Sequence, residues 1–209
     1  MNANSSRVQV RFILVAYRVR MNSRRFALRA PLLAALFGFL VSTLAAADRT
    51  LVLDPVQSRV EIVVKATVDS FTGKLSQPQA LVTLAPDGSV ATARLTFKFR
   101  DILTGKEKRD RAMHDWQQSD AFPDGEFVLA ALTAAAPGQF NARGRLTFHG
   151  VTRELTFPVT IATDHAVYAI DGEAVVDTRE FGLPIIRMMG LLKVDPLVRV
   201  RFHLQGRAP

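Results

Sequence analysis

Residues 139–163 read QFNARGRLTFHGVTRELTFPVTIAT, and apolar and polar side chains alternate on both sides of the His149-Gly150 pair. The alternation is plainest in the second half, where the apolar positions are Leu155, Phe157, Val159 and Ile161. A period of two places such side chains on one face of a β-strand, and a pair that contains glycine between two such runs is a turn signal. The stretch therefore predicts an antiparallel hairpin, with strands at 139–148 and 151–163, that is apolar on one face and wet on the other.

Outward from this hairpin, the same period of two runs through most of the chain from residue 50 onward and predicts about eight strands. The predicted strands are 50–54, 58–69, 76–84, 90–100, 126–135, 139–148, 151–163 and 166–177, with 197–206 closing the set. The turn signals that punctuate them are Thr72-Gly73-Lys74, Pro86-Asp87-Gly88, Pro123-Asp124-Gly125, Pro137-Gly138, His149-Gly150 and Asp171-Gly172. Strands that are apolar on one face only are typical of an antiparallel barrel or sandwich.

Two segments interrupt the alternation. Lys106–Phe122 is charged and carries its few apolar side chains at helical spacing, which predicts one amphipathic helix on the rim of the sheet. Phe181–Lys193 is crowded with apolar residues, and Pro184 and Gly190 make it a poor regular helix. So many apolar side chains are expected to cover something apolar instead of facing water.

The beginning of the chain has the pattern of an export signal. A basic stretch from Met21 to Arg29 precedes an apolar stretch from Pro31 to Leu44, which is shorter than the roughly 18–20 residues of a membrane-spanning helix. Ala45-Ala46-Ala47 supplies small residues for a cut just before Asp48. The pattern therefore predicts a cleaved signal and a periplasmic location, with an uncleaved membrane anchor as the alternative.

This interpretation divides the chain into three parts. They are a start-site extension at 1–20, the signal peptide at 21–47 and a single folded domain at 48–209. The paired arginines Arg24-Arg25 leave the twin-arginine export route open, although paired arginines are common in ordinary signals and the general secretory route is favoured.

Charge and composition exclude several classes of function. The formal net charge is +8, but residues 1–47 hold seven of the 27 basic residues and none of the 19 acidic ones. The remainder is nearly neutral, so a nucleic-acid partner is not expected. The sequence has no cysteine, which excludes disulfides, thiolate metal sites and cysteine nucleophiles.

Motifs for enzyme chemistry are missing from the sequence, which has no GxSxG, HExxH, phosphate-binding loop or dinucleotide fingerprint. Four histidines fall on different predicted elements: His114, His149, His165 and His203. His149 and His203 are expected to be solvated, and His114 is expected on the exposed side of the helix or at a barrel mouth. A site of His114 with Asp69 or Asp110 falls short of the three or four ligands that zinc usually takes, so no metal is expected.

Five short motifs follow one another along the predicted domain. They are Leu53-Asp54-Pro55-Val56-Gln57-Ser58, Arg109-Asp110-Arg111-Ala112-Met113-His114, the hairpin from Gly144 to Arg153, Arg179-Glu180-Phe181-Gly182-Leu183, and Val194-Asp195-Pro196-Leu197-Val198. In order, and over nearly all of 50–205, they resemble the D-P-x-H-S, R-D-x-x-M-H, G-x-L-T-x-x-G-V-T-R, R-x-x-F-G and V-x-D-x-V motifs of the YceI-like family.

The resemblance implies an all-β fold, an eight-stranded antiparallel lipocalin-like barrel with one short rim helix. It further implies export to the periplasm and an elongated cavity that holds an isoprenoid lipid, with no other cofactor. Two positions depart from the family pattern. Gln57 replaces its usual histidine, and Asp69 stands where many relatives have a histidine, so the preferred head group stays open.

An eight-stranded barrel is wide enough to hold one small ligand, although the same phenylalanines would also suit a solid core. With the resemblance, a cavity is the favoured interpretation. The candidate lipid contacts are Phe97, Phe99, Phe127, Phe148, Phe181, Met188, Met189, Leu191, Trp116 and Arg109. The segment 183–192 is expected to form a lid or cavity wall, since methionine adapts to flexible apolar chains.

Arg109 has two interpretations: its guanidinium binds a polar lipid head, or with Asp110 it tethers the helix to the barrel. Arg179 has the same two interpretations, as a ligand of the lipid head or as a structural tether.

Three hypotheses of function remain at this stage. In the favoured one, the domain binds, sequesters or ferries an isoprenoid lipid, either a quinone or a polyprenyl carrier, and is not an enzyme. In the second, the barrel is solid and the segment 183–192 docks transiently on a membrane surface or a partner protein. In the third and least favoured, His114 and Asp110 do acid–base work on such a lipid. Whether the barrel forms a homodimer is left open.

Overall fold

The computed structural model describes residues 49–76, 78–188 and 192–209, without the side chains of Met188 and Leu192. The predicted extension at 1–20, the signal peptide at 21–47 and the cut beside Ala47 lie outside these residues. Fourteen strands are described: β1 Arg49–Thr50, β2 Val52–Leu53, β3 Arg59–Val64, β4 Phe71–Leu75, β5 Gln79–Leu84, β6 Val90–Lys98, β7 Ile102–Leu103, β8 Asp124–Ala136, β9 Gln139–Phe148, β10 Val151–Asp164, β11 Val167–Asp177, β12 Arg187–Met188, β13 Leu192–Lys193 and β14 Leu197–Arg207. One α-helix, α1, spans Glu107–Gln117, and 3₁₀ turns span Phe99–Asp101 and Thr178–Phe181.

Twelve of these strands form one antiparallel sheet in the order β1-β5-β6-β8-β9-β10-β11-β14-β3-β4-β7, with β2 added at β14. The sheet curls into a half-barrel, because Val82 in β5 and Leu75 in β4, near opposite ends of this order, line the same cavity. A single 3₁₀ turn connects β6, near one end of this order, to β7 at the other end. Beside this turn, the backbone N–H of Ser76, which follows β4, donates to the carbonyl of Asp101 at 3.0 Å. The strands β12 and β13 pair only with each other.

Within the described residues, no helix combines the length and the apolar character that crossing a membrane requires.

The all-β antiparallel prediction is confirmed, and the count of eight strands is wrong, because twelve strands join the main sheet. The predicted strand 50–54 is divided into β1 and β2, and the strands of the main sheet that were not predicted are β4 and β7. A period of two cannot be recognised in the two residues of β7, and β4 was interpreted as a turn because it contains Gly73. The segment 183–192, expected to form a lid or cavity wall, contributes residues to the short β12–β13 ladder.

Three predicted turns lie partly or wholly inside strands, and each contains a glycine whose missing side chain makes room for a neighbour. Gly73 lies in β4, where an added Cβ would stand 2.8 Å from Cγ2 of Ile102. Gly125 lies at the beginning of β8 under the ring of Phe97. Gly172 lies in β11 under the ring of Phe202, and the turn that was expected there is at 165–166.

The helix prediction was correct in kind and too long, since α1 ends at Gln117 instead of Phe122. Gln118 has a left-handed backbone with φ of 57°, and its N–H donates to the carbonyl of Asp115. The chain then turns back, and Nε2 of the buried Gln117 donates to the carbonyl of Phe122 at 2.9 Å. This closed turn holds the end of the helix against the beginning of β8.

Two apolar clusters pack at opposite ends of the half-barrel. The cluster beside α1 contains Phe99, Phe148, Phe181 and Leu183, with Met113 and Trp116 of the helix packed against it. The cluster at the other end contains Leu51, Val82, Leu84, Tyr168 and Ile170. Members of both clusters line the space described next.

Candidate functional site

An apolar lumen runs through the half-barrel, with about 260 Å³ open to the centres of water molecules. By that measure one water needs roughly 10–15 Å³, so the space far exceeds an ordinary packing defect. Its walls come from the inward faces of the strands, for example Val60 and Ile62 of β3, Ala142 of β9 and Ala174 of β11. The structure therefore has a cavity where a solid core was the alternative.

Phenylalanine rings line this lumen without filling it, because three of them lie against glycines of the sheet. The rings of Phe97, Phe127 and Phe202 occupy the positions that Cβ atoms would take at Gly125, Gly144 and Gly172. A ring that covers a glycine packs along the wall, which shields the backbone and leaves the centre of the barrel free.

The end of the lumen beside α1 is covered by the helix and by the chain that follows β11. Trp116 and Met113 line the lumen from the helix, and Ile185 and Ile186 line it from the apolar segment. The two sides are joined by a hydrogen bond in which Nε1 of Trp116 donates to the carbonyl of Pro184 at 2.8 Å.

Five of the ten predicted lipid contacts come together in the lumen. Phe97, Phe99, Phe127, Phe148 and Trp116 line it. Two others do not line it. Phe181 is fully buried behind the wall, with its ring centroid 5.7 Å from that of Phe148, and Arg109 lies outside the lining. Met189, Leu191 and the side chain of Met188 lie outside the described residues. That any of these residues touches a lipid stays a prediction.

Arg109 connects the helix to the β3–β4 turn. Its Nη2 donates to Oδ2 of Asp69 at 3.2 Å, and its Cζ lies 4.3 Å from the ring centroid of Phe71. Asp110 accepts from the backbone and the hydroxyl of Thr104, at 3.0 and 2.6 Å. These contacts are what the tethering interpretation requires, and they engage Asp69, the residue that departs from the family pattern.

Arg179 makes a local ion pair with Asp177, the residue that caps the second 3₁₀ turn. The side chain and the backbone N–H of Arg179 donate to Asp177, and these bonds hold the pKa of that carboxyl below its usual value. A lowered folded-state pKa means that the carboxylate stabilises the fold above the unfolded-state pKa of about 3.9. This stabilisation is lost as the pH falls through the folded-state value.

Asp177→Asn should therefore be less stable than the wild type at pH 7, and the difference should shrink below about pH 4. The amide keeps an acceptor for the backbone N–H and removes only the charge. Urea unfolding of both proteins at pH 7 and pH 3 measures the two differences. An equal difference at both pH values would contradict an origin in the ion pair.

Two of the histidines are not solvated in the way the sequence analysis expected. Nε2 of His114 and Nε2 of His149 are both buried without a hydrogen-bond partner. His114 packs against the ring of Phe99 with 6.1 Å between centroids, so it faces inward from the helix. Nδ1 of His149 bonds the carbonyl of Phe181 at 2.9 Å, which ties the β9–β10 turn to the second 3₁₀ turn. A carbonyl only accepts, so Nδ1 is the donor in this bond.

The other two histidines lie at the outer surface. His203, on the outer face as expected, pairs with Asp171 at 2.7 Å and keeps 19% of its side chain exposed. His165 pairs with Asp164 in an exposed turn. Among the residues that the structure describes, no three side chains of His, Cys, Asp or Glu come together in a way that could hold a metal ion.

Several wall residues that carry no aromatic ring were not among the predicted lipid contacts. Val60 and Ile62 were on a predicted apolar face, so strict use of the period of two would have included them. The sequence did not mark Ala142 and Ala174 as lumen residues, because an alanine in a strand is as common in a solid core as in the wall of a cavity. Ile185 and Ile186 lie in the segment from which other residues had been selected.

Comparisons with known proteins agree on one family and one fold. A model of the YceI-like domain matches residues 51–206. The crystal structure of BcnA from Burkholderia cenocepacia has a TM-score of 0.66 at 24% identity, covering 74% of this chain and 99% of BcnA. Among curated proteins, no sequence match is found.

Two further solved structures share the fold. A domain from Saccharophagus degradans, described as polyisoprenoid binding and implicated in plant cell wall breakdown, has a TM-score of 0.56 at 14% identity, covering 78% of this chain and all of that one. The YceI protein of Campylobacter jejuni has a TM-score of 0.58 at 12% identity, covering 67% of this chain and 86% of its own.

Proposed function

The chain belongs to the YceI-like family, and on that premise we propose that its lumen binds a long apolar lipid of the isoprenoid type. The observation that carries the proposal is the lumen itself, whose walls are apolar along the strands from Val60 to Leu204. The description of the Saccharophagus degradans relative as polyisoprenoid binding supports the same class of ligand.

The physical driving force is burial of the hydrocarbon tail. Each Å² of apolar surface removed from water contributes about 25 cal/mol, before the cost of ordering the tail and the side chains around it. Rings that already lie against glycines need no rearrangement to admit a lipid tail. The free-energy cost of ordering the side chains around the tail is therefore low. The domain is thus suited to hold a flexible tail along the barrel axis.

We further propose that the domain works in the periplasm as a carrier or reservoir for a quinone or a polyprenyl lipid. The export pattern of residues 21–47 supports this location. Met188, Met189 and Leu191 follow two wall residues, Ile185 and Ile186, and are proposed to contact the tail from the same segment.

A binding role needs no catalytic group, and the described lumen supplies none in a reactive arrangement. Asp110 is engaged by Thr104 on the outside of the helix, and neither His114 nor His149 is part of the lumen wall. The proposal is therefore a binding protein and not a lipid-modifying enzyme. Docking on a partner, on a membrane surface or on a second copy of the chain is compatible with this role.

The direct test is a mass spectrum of the organic extract from protein purified from its native host. We expect an isoprenoid lipid in an amount comparable to that of the protein. Protein that has been unfolded, washed and refolded without lipid provides the blank. An extract that matches the blank, or that contains only the bulk membrane phospholipids, would overturn the proposal.

A further inference from the structure

A second cavity lies at the end of the half-barrel opposite α1. It is bounded by the β5–β6 turn at Gly88, the β8–β9 turn at Gly138 and the beginning of β11 at Tyr168. It shares Val90, Leu132 and Ile161 with the lumen, so the two spaces have common walls. We call this space the far-end cavity.

The inward face of the sheet changes its chemistry on reaching the far-end cavity. Along β10 the lumenal side chains are Leu155, Phe157, Val159 and Ile161, and the next one in the same row is Thr163. On the neighbouring β11 the row of Val176, Ala174 and Ile170 ends at Tyr168. Ser89 adds a third hydroxyl. The walls thus pass from hydrocarbon to a group of three hydroxyls at this end, while the polar side chains that line the α1 end are Thr178 and Asp195. A group of hydroxyls beside a hydrocarbon wall suits an amphiphilic ligand.

The far-end cavity meets water through two of its polar side chains, next to the buried cluster of Leu51, Val82 and Leu84, whereas the α1 end is covered. Thr163 and Ser89 are exposed. Beside α1, by contrast, Phe181 and Leu183 are almost fully buried, and the hydrogen bond from Trp116 to Pro184 spans the lumen end. A polar head that keeps part of its hydration is more stable at the wet end than at the covered one.

Two of the three hydroxyls already donate a hydrogen bond to another group of the protein. The hydroxyl of Tyr168 donates to the carbonyl of Gly88 at 3.0 Å, and the hydroxyl of Ser89 donates to Oδ1 of Asp87 at 2.7 Å. A hydroxyl has one proton and two acceptor lone pairs, so these two oxygens are left as acceptors. They match a ligand group that donates a hydrogen bond, which a hydroxyl does and a carbonyl does not.

Charge selects against an anionic head at the same place. None of the side chains that line the far-end cavity is charged. Asp87 lies directly behind Ser89, and the bonds from the Ser89 hydroxyl and backbone keep the pKa of Asp87 below its usual value, so it remains a carboxylate. A phosphate would lose water there without gaining a cation and would face this negative charge.

We propose that the far-end cavity is the head-group site of the lumenal lipid and takes an uncharged head that carries a hydroxyl group. The tail then runs along the lumen towards Trp116. An isoprenoid alcohol or the hydroquinone form of a quinone has this chemistry. The inference rests on the proposed lipid-binding function and adds the orientation of the ligand and the class of its head.

Three probes with the same tail test this assignment: geranylgeraniol, its methyl ether and geranylgeranyl phosphate. Trp116 is the single tryptophan of the chain and lines the lumen, so its fluorescence reports on the tail whatever the head is. The wild type should bind the alcohol about fivefold more tightly than the ether, which cannot donate, and the phosphate should bind most weakly.

Tyr168→Phe should weaken binding of the alcohol about fivefold and leave the ether unchanged, as expected for one lost hydrogen bond between neutral groups. Thr163→Val removes a hydroxyl that can donate to the oxygen of either ligand, so it should weaken binding of the alcohol and of the ether alike. Thr160→Val makes the same change as Thr163→Val on the exposed face of the same strand and should alter nothing. Asp195→Asn tests the other end of the lumen, where Asp195 lines the wall, and should leave the preference for the alcohol intact.

The outcomes separate the two proposals. If no probe changes the fluorescence of Trp116, lipid binding itself is refuted. If the probes bind but Thr163→Val and Tyr168→Phe behave like the wild type, only the head-group site is refuted. A loss of the alcohol preference in Asp195→Asn would place the head at the α1 end, and tighter binding of the phosphate would overturn the uncharged head.

Discussion

Phe181→Ala should lower the free energy of unfolding of the lipid-free protein by about 3–5 kcal/mol, the range found for large-to-small changes in well-packed cores. The side chain of Phe181 is fully buried among Phe99, Phe148 and Leu183, behind the lumen wall. Removal of its ring opens a cavity that the surrounding side chains cannot fill. Urea unfolding followed by circular dichroism measures the loss.

Phe97→Ala is the matched control, since it removes the same ring from a residue that faces the lumen. One side of the Phe97 ring lies on Gly125 and the other side borders existing empty space, so fewer contacts are lost. We expect a loss of about 1–2 kcal/mol in the lipid-free protein. A loss as large as that of Phe181→Ala, both with and without lipid, would contradict a cavity at this position.

Ala174→Phe should reduce lipid affinity at least about tenfold while the domain stays folded. Ala174 lines the middle of the lumen, and a phenyl ring there takes the place of roughly 60 Å² of tail contact, worth about 1.5 kcal/mol. The ring enters space that is already empty, so the usual cost of overpacking a core should be reduced. Fluorescence titration of Trp116 with geranylgeraniol measures the affinity.

Val175→Phe provides the control for this variant. Val175 is the next residue of β11, points to the outer face and is 48% exposed, so the larger ring stays outside the barrel. Its lipid affinity should equal that of the wild type. If Ala174→Phe also binds as tightly as the wild type, the tail does not occupy the middle of the lumen.

The alternating runs of the sequence were sufficient for the fold class and for the faces of the strands. Phe97, Phe127 and Phe148 lie on predicted apolar faces of strands and line the lumen, whereas Phe99 lines it from the 3₁₀ turn that ends the predicted strand early. The reason is local: in an extended chain, successive side chains point to opposite faces whatever the rest of the protein does. The family motifs depended on residues that are close in sequence, and the match over 51–206 confirms that resemblance.

Predictions from neighbours in the sequence failed at two glycines. Gly73 and Gly172 were interpreted as turn residues, because glycine tolerates turn backbones. Their actual neighbours, Ile102 and Phe202, are about 30 residues away in the chain. Sequence spacing gives no account of such pairs, and so it predicted turns inside β4 and β11. The exposure of His149 was misjudged for the same reason, because its partner, the Phe181 carbonyl, belongs to another turn.

The sequence by itself determined that this protein is an antiparallel all-β domain with one helix, and which face of each long strand is apolar. Only the tertiary structure decided what the inward face encloses. Whether facing rows of side chains meet or leave a lumen depends on how tightly the sheet curls and on where the rings lie. Here the rings of Phe97, Phe127 and Phe202 lie along the wall over glycines of neighbouring strands. That arrangement comes from contacts between strands, because a period of two specifies the face of each residue and not the distance to the opposite wall.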